Sequence, residues 1–497
     1  MNGNGKKYKN GTRMIFGMSR SEKRANNNLG IVLNTGNEKS DRYRSPKLCV
    51  VQSYLEGTQY DGKQDWDQAA CSDTHVPLKD RKPKIIYPFA KVFADRLSSK
   101  LLGRSTFPSV KVEDDEDTSY FTKIVLNGTF FQARMLDMCK KLVVYNSCFV
   151  RFKMTNGSLK LEKYNPNYCY PSFDPAGNLD FIEIKYVYDT GETDNKGKKI
   201  ERWYKLILST TTDTLFSNPI YVENSKPEFE VVSSIEHNLG YVQGEWFSIG
   251  EDMYSPDGES EPFILQIKDF VDAINYNLSQ TDTATNYGND PQLVLSGMDE
   301  DDIDKLIKSS AKAWALGRDG KAAFLEVAGS GLEASNNTRQ DFFKRVQDIA
   351  RIVMLDPEKM QASAQSGKAM EVMHAPLVEL VNEIRPWIEK GFKSLISKMI
   401  DTIITLNTLG FETQFTMPED FVPASMEFTI TWPPVFELTT QDKQQIVSIG
   451  LQATNGNIIS RDTALKWIQS QGVDFGVEDF ELERQKVDSQ KTFGGFF

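Results

Sequence analysis

The chain has 497 residues, of which 39% are hydrophobic and 26% charged, with a formal net charge of −11; it is too long for one hydrophobic core and too apolar for wholesale disorder. No stretch reaches the ~18 uninterrupted apolar residues that a membrane span needs, and the best candidate, Ser394–Leu409, is broken by Lys398 and Asp401. The cysteines (Cys49, Cys71, Cys139, Cys148, Cys169) are unevenly spaced and form no CxxC, which fits reduced thiols better than a disulfide frame or a zinc site.

Residues 1–47 form a basic arm: eleven Lys and Arg against Glu22, Glu38 and Asp41 give it +8 and leave −19 on the remainder. Lys6, Lys7 and Lys9 precede no apolar run, so no secretion signal is read and synthesis in a cytoplasm is expected. The arm reads either as a solvated, flexible tail or as a segment that touches nucleic acid or a neighbouring subunit. A body this acidic would repel a duplex wherever basic side chains do not intervene.

Pro83–Gly103 reads as a lead-in and then a helix from about Pro88, with Phe89, Val92, Phe93, Leu97 and Leu101 at helical spacing. A single helix is expected over Asp117–Leu142. Cys148–Met154 and Ser158–Tyr164 then read as a hairpin around Thr155-Asn156-Gly157, since Asn-Gly favours the tight turn. Strands near 181–188, 200–209, 218–222 and 229–232 complete an α+β lobe over 48–260.

From Glu261 the pattern changes. Ile264, Ile267, Val271, Ile274 and Leu278 make a narrow apolar seam on a helix over 261–288, broken by Asn286–Asp290. A small module over 289–331 comprises strand Gln292–Leu295, a helix from Asp299 to Trp314 and strand Ala322–Val327. A second seamed helix over 332–354 carries Phe342, Val346, Ile349 and Val353 and ends at Asp356-Pro357. A polar loop, 355–368, leads into a long helix from about Gly367 to Leu409, inside which Pro376 and Pro386 should each introduce a kink. The edge strand Glu427–Phe436 closes the region 369–437. Two modest helices follow over 438–475, and then a flexible tail, 476–497. The expected fold class is α+β, mainly helical.

Chemistry is hard to place on this chain. His75, His237 and His374 are the only histidines and none lies in HExxH or HxH spacing, and no GxSxG elbow occurs. Gly320-Lys321 and Gly367-Lys368 lack the earlier glycine of a P-loop (Ala315 and Ala362 stand there) and the hydroxyl residue after the lysine. The acidic runs Glu113–Asp117 and Asp299–Asp302 do not match a calcium loop; they read as helix starts, where carboxylates stabilise free N–H groups. No catalytic residue, metal or cofactor is assigned. A narrow seam cannot bury a helix alone: such helices either pack in an intramolecular bundle or repeat around a symmetry axis as a ring wall.

The segment Glu261–Leu409 resembles the stem–clip–stem–tunnel-loop–kinked-helix order of tailed-bacteriophage portal proteins (head-to-tail connectors). Gln292–Val327 is similar to the strand–helix–strand clip and Leu355–Lys368 to the tunnel loop. Lys82–Gly103 resembles the family's N-terminal helix ending in Leu-Leu-Gly, and Asn165–Phe181 its Pro-rich wing hairpin. The resemblance spans roughly 50–470 and implies a wing, stem, clip, tunnel loop, long kinked helix and C-terminal helical crown. It further implies a ring, commonly of twelve subunits, at one vertex of the virion capsid. Double-stranded DNA would pass through that ring without sequence recognition, driven by a separate terminase. A head–tail adaptor and the major capsid or scaffolding protein would be further partners, and no membrane is involved. On this reading Lys359, Met360, Gln361, Ser363, Gln365 and Lys368 line the DNA channel, with Lys359 and Lys368 as cationic rings or as ordinary exposed lysines. Asp299, Asp302, Trp314, Arg318 and Lys321 form a docking surface, though Trp314 could equally fill the clip's own core. Pro376 and Pro386 are hinges or static bends. Another head–tail adaptor or capsid component, and more remotely a metal-dependent nuclease, remain alternatives.

Overall fold

A computed structural model of the chain describes residues 38–60, 85–112, 115–195, 197–222, 225, 227–251, 259–289, 292–296, 321–325, 329–352, 371–372, 374–415, 417, 426–436, 440–471, 473 and 485–486. Its elements, in order, are α1 (Glu38–Glu56), α2 (Phe89–Leu102), β1 (Ser109–Val112), α3 (Glu116–Gly128), α4 (Phe131–Tyr145), β2 (Ser147–Thr155), β3 (Ser158–Tyr164), β4 (Cys169–Phe173), β5 (Leu179–Thr193), β6 (Lys199–Ser209), β7 (Thr212–Phe216), β8 (Val231–Glu236) and β9 (Gly244–Ser248). They continue with α5 (Phe263–Asn289), β10 (Gln292–Ser296), β11 (Lys321–Leu325), α6 (Gly329–Ala350), α7 (Ala375–Thr408), β12 (Phe428–Thr431), α8 (Thr440–Asn455) and α9 (Arg461–Ser470). The fold is α+β, with about half of the described residues helical rather than a helical majority. The chain divides into two units, residues 1–92 with 261–350 and residues 93–260 with 351–497.

The second unit is built on two antiparallel sheets. One has the order β3-β2-β9; the other runs β4-β5-β6-β7-β8. The β2–β3 turn falls on Asn156 and Gly157, both at positive φ (50° and 74°), the conformation an Asn-Gly hairpin turn demands. Phe149, Val242 and Trp246 close with Cys169, Ile182, Ile184, Leu206 and Leu208 into one buried cluster. A second aromatic group surrounds Phe392 of α7: the rings of Phe107, Phe131 and Phe247 stand 6.2, 5.2 and 6.0 Å from it. Cys139, Cys148 and Cys169 are buried free thiols of this unit, and burial pushes the Cys148 thiol up to about 12.

Several sequence expectations need correction. The helix expected over Asp117–Leu142 is two helices. Asp115 caps α3, accepting from the Thr118 N–H at 2.8 Å, and the break comes at Thr129-Phe130. The Thr129 hydroxyl bonds back to the Val125 carbonyl at 2.9 Å, and Phe130 takes the left-handed backbone (φ 53°, ψ 40°). Pro376 does not kink the long helix, because that helix starts at Ala375 and the proline lies in its first turn, where its missing N–H costs nothing; only Pro386 is internal. Residues 218–222 make an isolated bridge, Arg202–Ile220, and no strand. The strand expected near 229–232 begins at Val231 and runs to Glu236.

Candidate functional site

The long-helix segment of the first unit is where the sequence places function. The apolar seam of α5 is buried along its first half: Ile264, Ile267, Val271 and Ile274 are at most 4% exposed. On α6, Val346 is buried, and Phe342 lies 6.1 Å from Phe270. Further along, the helix pair changes character. Asn277 donates to Ser335 Oγ at 2.9 Å, and Thr281 and Ser335 share a hydroxyl contact of 3.0 Å. The pair therefore has an apolar root and a polar far end. Beyond α5 and before α6 stand β10 and β11, antiparallel and in register from Gln292–Leu325 to Ser296–Lys321. Of the expected order helix–strand–helix–strand–helix, the two long helices and both strands are present, and the short helix expected from Asp299 to Trp314 lies outside the described residues.

Sequence reasoning missed what fixes the α5 root. Tyr54 and Tyr60 donate their hydroxyls to the two oxygens of Asp272, at 2.8 and 2.7 Å. Asn275 donates to Tyr60 Oη at 2.9 Å and accepts from the Tyr87 N–H at 2.7 Å. Ser279 Oγ accepts from the Ile85 N–H at 3.2 Å. Asp272, Asn275 and Ser279 are all buried, and they recur at i, i+3 and i+7 beside the seam, a spacing that puts them on one face. That alignment was the available signal. Burial, with Asp272 adding its charge, raises both tyrosine hydroxyls well above their usual value, so they stay protonated donors. With both Asp272 oxygens engaged, this is a structural lock rather than a reactive carboxylate.

In the second unit, α7 is pinned along its length. Lys398 Nζ and Ser394 Oγ both reach Glu245 Oε2 of β9, at 2.7 and 2.6 Å. Tyr241 donates to Asp401 Oδ2 at 2.7 Å. Arg385 donates to the Pro433 carbonyl at 2.8 Å, and its guanidinium stacks 5.0 Å from the Trp432 ring. Next to the start of the helix His374 is buried, with its ring 5.2 Å from Phe436, and Lys100 Nζ stands 4.1 Å from the same ring. A buried pair, Arg151 with Asp213 at 2.9 Å, ties β2 to β7.

Of the channel, docking and hinge residues named from the resemblance, only Lys321, Pro376 and Pro386 are among the described ones. Lys321 opens β11 and is exposed; Pro376 lies in the first turn of α7 and Pro386 is exposed within it. Asp299, Asp302, Trp314 and Arg318, and the loop residues Lys359, Met360, Gln361, Ser363, Gln365 and Lys368, lie outside the described residues. Among the described residues no group of three or more His, Cys, Asp or Glu could hold a metal. No helix among them is long and apolar enough to cross a membrane.

Residues 42–490 match the protein family described as phage portal protein, SPP1 Gp6-like, nearly the whole chain. No curated protein matches it.

Proposed function

Because the chain belongs to the phage portal protein family, a structural rather than enzymatic family of the virion's head-to-tail connector, we propose that it is one subunit of a twelve-membered ring at a single capsid vertex. The ring is a passive conduit for double-stranded DNA during packaging and ejection, and a docking platform for terminase and then for a head–tail adaptor. The observation that carries this reading is the family match over residues 42–490. The order α5, β10, β11, α6 supports it, because these are the outer helices and the strand pair of the stem–clip–stem order that the resemblance implies.

The physical demands on such a conduit agree with the chain. A moving duplex needs weak, uniform contact, since a dense basic groove would hold it by releasing many counterions. The body carries net negative charge, and the polar far end of the α5–α6 pair offers amides and hydroxyls. In this reading Lys359, Gln361, Ser363, Gln365 and Lys368 line the constriction with Met360 among them. Asp299, Asp302, Trp314, Arg318 and Lys321 face the docking partner.

Electron microscopy of the purified chain tests the assembly directly. Rings with a central hole of duplex width are expected. A 56.4 kDa monomer at every concentration, and after addition of DNA or capsid protein, would overturn it.

A further inference from the structure

β8 ends the five-stranded sheet, and no described residue pairs with its outer edge. All six of its residues are exposed, on both faces of the strand; Val231, Val232 and Ile235 are 60%, 64% and 63% exposed. Native sheets blunt such an edge with lysine, proline or a covering element, and β8 contains neither residue. The opposite edge does: β4 carries Pro171 and a register shift at Ser172/Phe173. The apolar row of β8 is framed by Glu228, Glu230 and Glu236, each exposed and with no cation paired to it among the described residues.

An edge with a β-branched centre and an acidic frame fits an extended basic segment with a short apolar run. Residues 1–37 have that composition: seven Lys and Arg against Glu22, and the run Leu29–Leu33 (LGIVL) between Asn26-Asn27-Asn28 and Asn34-Thr35-Gly36. We propose that β8 accepts residues 29–33 of a second copy of this chain as an added strand, with Arg20, Lys23 and Arg24 of that copy drawn to the three carboxylates. Pairing of β8 with β8 would bring six carboxylates together and give a two-fold dimer. An arm laid on the neighbour's sheet is a heterologous contact that repeats around a ring. The inference rests on the proposed ring only in requiring a second copy.

The test places a benzoylphenylalanine photo-crosslinker at Ile235 of the full-length chain and assembles equal amounts of ¹⁵N-labelled and unlabelled protein. The expected product joins position 235 to a peptide within residues 1–37, in mixed-isotope pairs. Its yield should fall roughly eightfold in Glu228→Lys/Glu230→Lys/Glu236→Lys, about a factor of two for each exposed ion pair. It should return when Arg20, Lys23 and Arg24 are changed to Glu. Val32→Pro should also lower it, because proline removes a strand hydrogen bond without altering charge. Far-UV circular dichroism confirms that each variant folds. Crosslinks confined to one isotope, crosslinks to another segment, or no crosslink would overturn the docking. Rings seen by microscopy beside such a result would leave the ring itself standing.

Discussion

Asp272 shows how a single side chain can hold a helix that its apolar seam cannot hold alone. Two buried hydroxyls depend on it, and each hydroxyl left without an acceptor costs about 1–3 kcal/mol. Asp272→Ala should therefore lower unfolding stability by ~2–5 kcal/mol, whereas Tyr60→Phe, which leaves Tyr54 in place on the carboxylate, should lower it by ~1–2 kcal/mol. Replacing the three together, Tyr54→Phe/Tyr60→Phe/Asp272→Leu, should recover part of the loss, because both hydroxyls leave with their acceptor and the amide of Asn275, which donates to Tyr60 Oη, is the group that loses its partner. Urea midpoints at constant slope read these differences, and a triple variant weaker than Asp272→Ala would refute the lock. His374 makes a pH-dependent contribution of the same local kind. Burial, with Lys100 adding repulsion, holds its imidazole below the usual 6.5. Above that value His374 is neutral in both states, and its contribution is fully present. As pH falls through 6.5 the unfolded chain takes up the proton first, so stability is lost until the folded pKa is passed, and the loss is constant below it. His374→Phe keeps the stack on Phe436 and should flatten this limb. Its melting temperature should fall less than that of the natural chain between about pH 7.5 and pH 5; parallel curves would show that His374 does not titrate in this way.

Gly391 poses a contest between two effects of known size at the level of a whole element. Inside a helix alanine is favoured over glycine by about 1 kcal/mol. Here, though, a Cβ at 391 would stand 2.4 Å from Phe247 Cε1, whose ring is wedged between β9 and α7. Overpacking of a full core costs ~1–3 kcal/mol, so Gly391→Ala should destabilise, and Phe247→Leu in the same chain should relieve part of the loss. A rise in melting temperature would mean that the helix and the strand are not packed this closely. Pro386 should behave oppositely: it is exposed, and its ring removes one helical hydrogen bond, so Pro386→Ala is expected to stabilise by ~1–3 kcal/mol in a urea titration. The same contrast explains which elements can be read from the sequence. The β2–β3 hairpin is legible because Asn-Gly specifies a turn, and α9 because Ser460 caps it, accepting from the Thr463 N–H at 3.1 Å. The break at Phe130 is not, because a phenylalanine at positive φ violates the local rule that a reader applies. Nor is the extent of β8: a strand is expected near 229–232, but its exposed faces carry no alternation to mark the end at Glu236. In the candidate site the two long helices and the strands between them are legible from periodicity. The lock on Asp272 is not, since its tyrosines lie more than 200 residues away in sequence.

Charge organises the whole molecule: +8 on the first 47 residues and −19 on the rest. In the proposed ring this distribution would keep a duplex from being trapped along the body, and any grip on DNA would come from a few cations placed where the passage narrows. Each phosphate neutralised contributes about −0.9 to the slope of log K against log salt. Rings lacking residues 1–37 should therefore bind duplex with a slope of only a few units. If Lys359 is the cation at the constriction, Lys359→Ala should make that slope shallower still, while Lys359→Arg should leave it unchanged because both side chains carry the charge. In the assembled particle the Lys359→Ala ring should form normally by electron microscopy but package or retain less DNA, read as the genome length protected from nuclease. The ring image separates loss of a DNA contact from loss of assembly. Full-length genomes in Lys359→Ala particles, with an unaltered salt slope, would remove the residue from the channel and leave the architecture untouched.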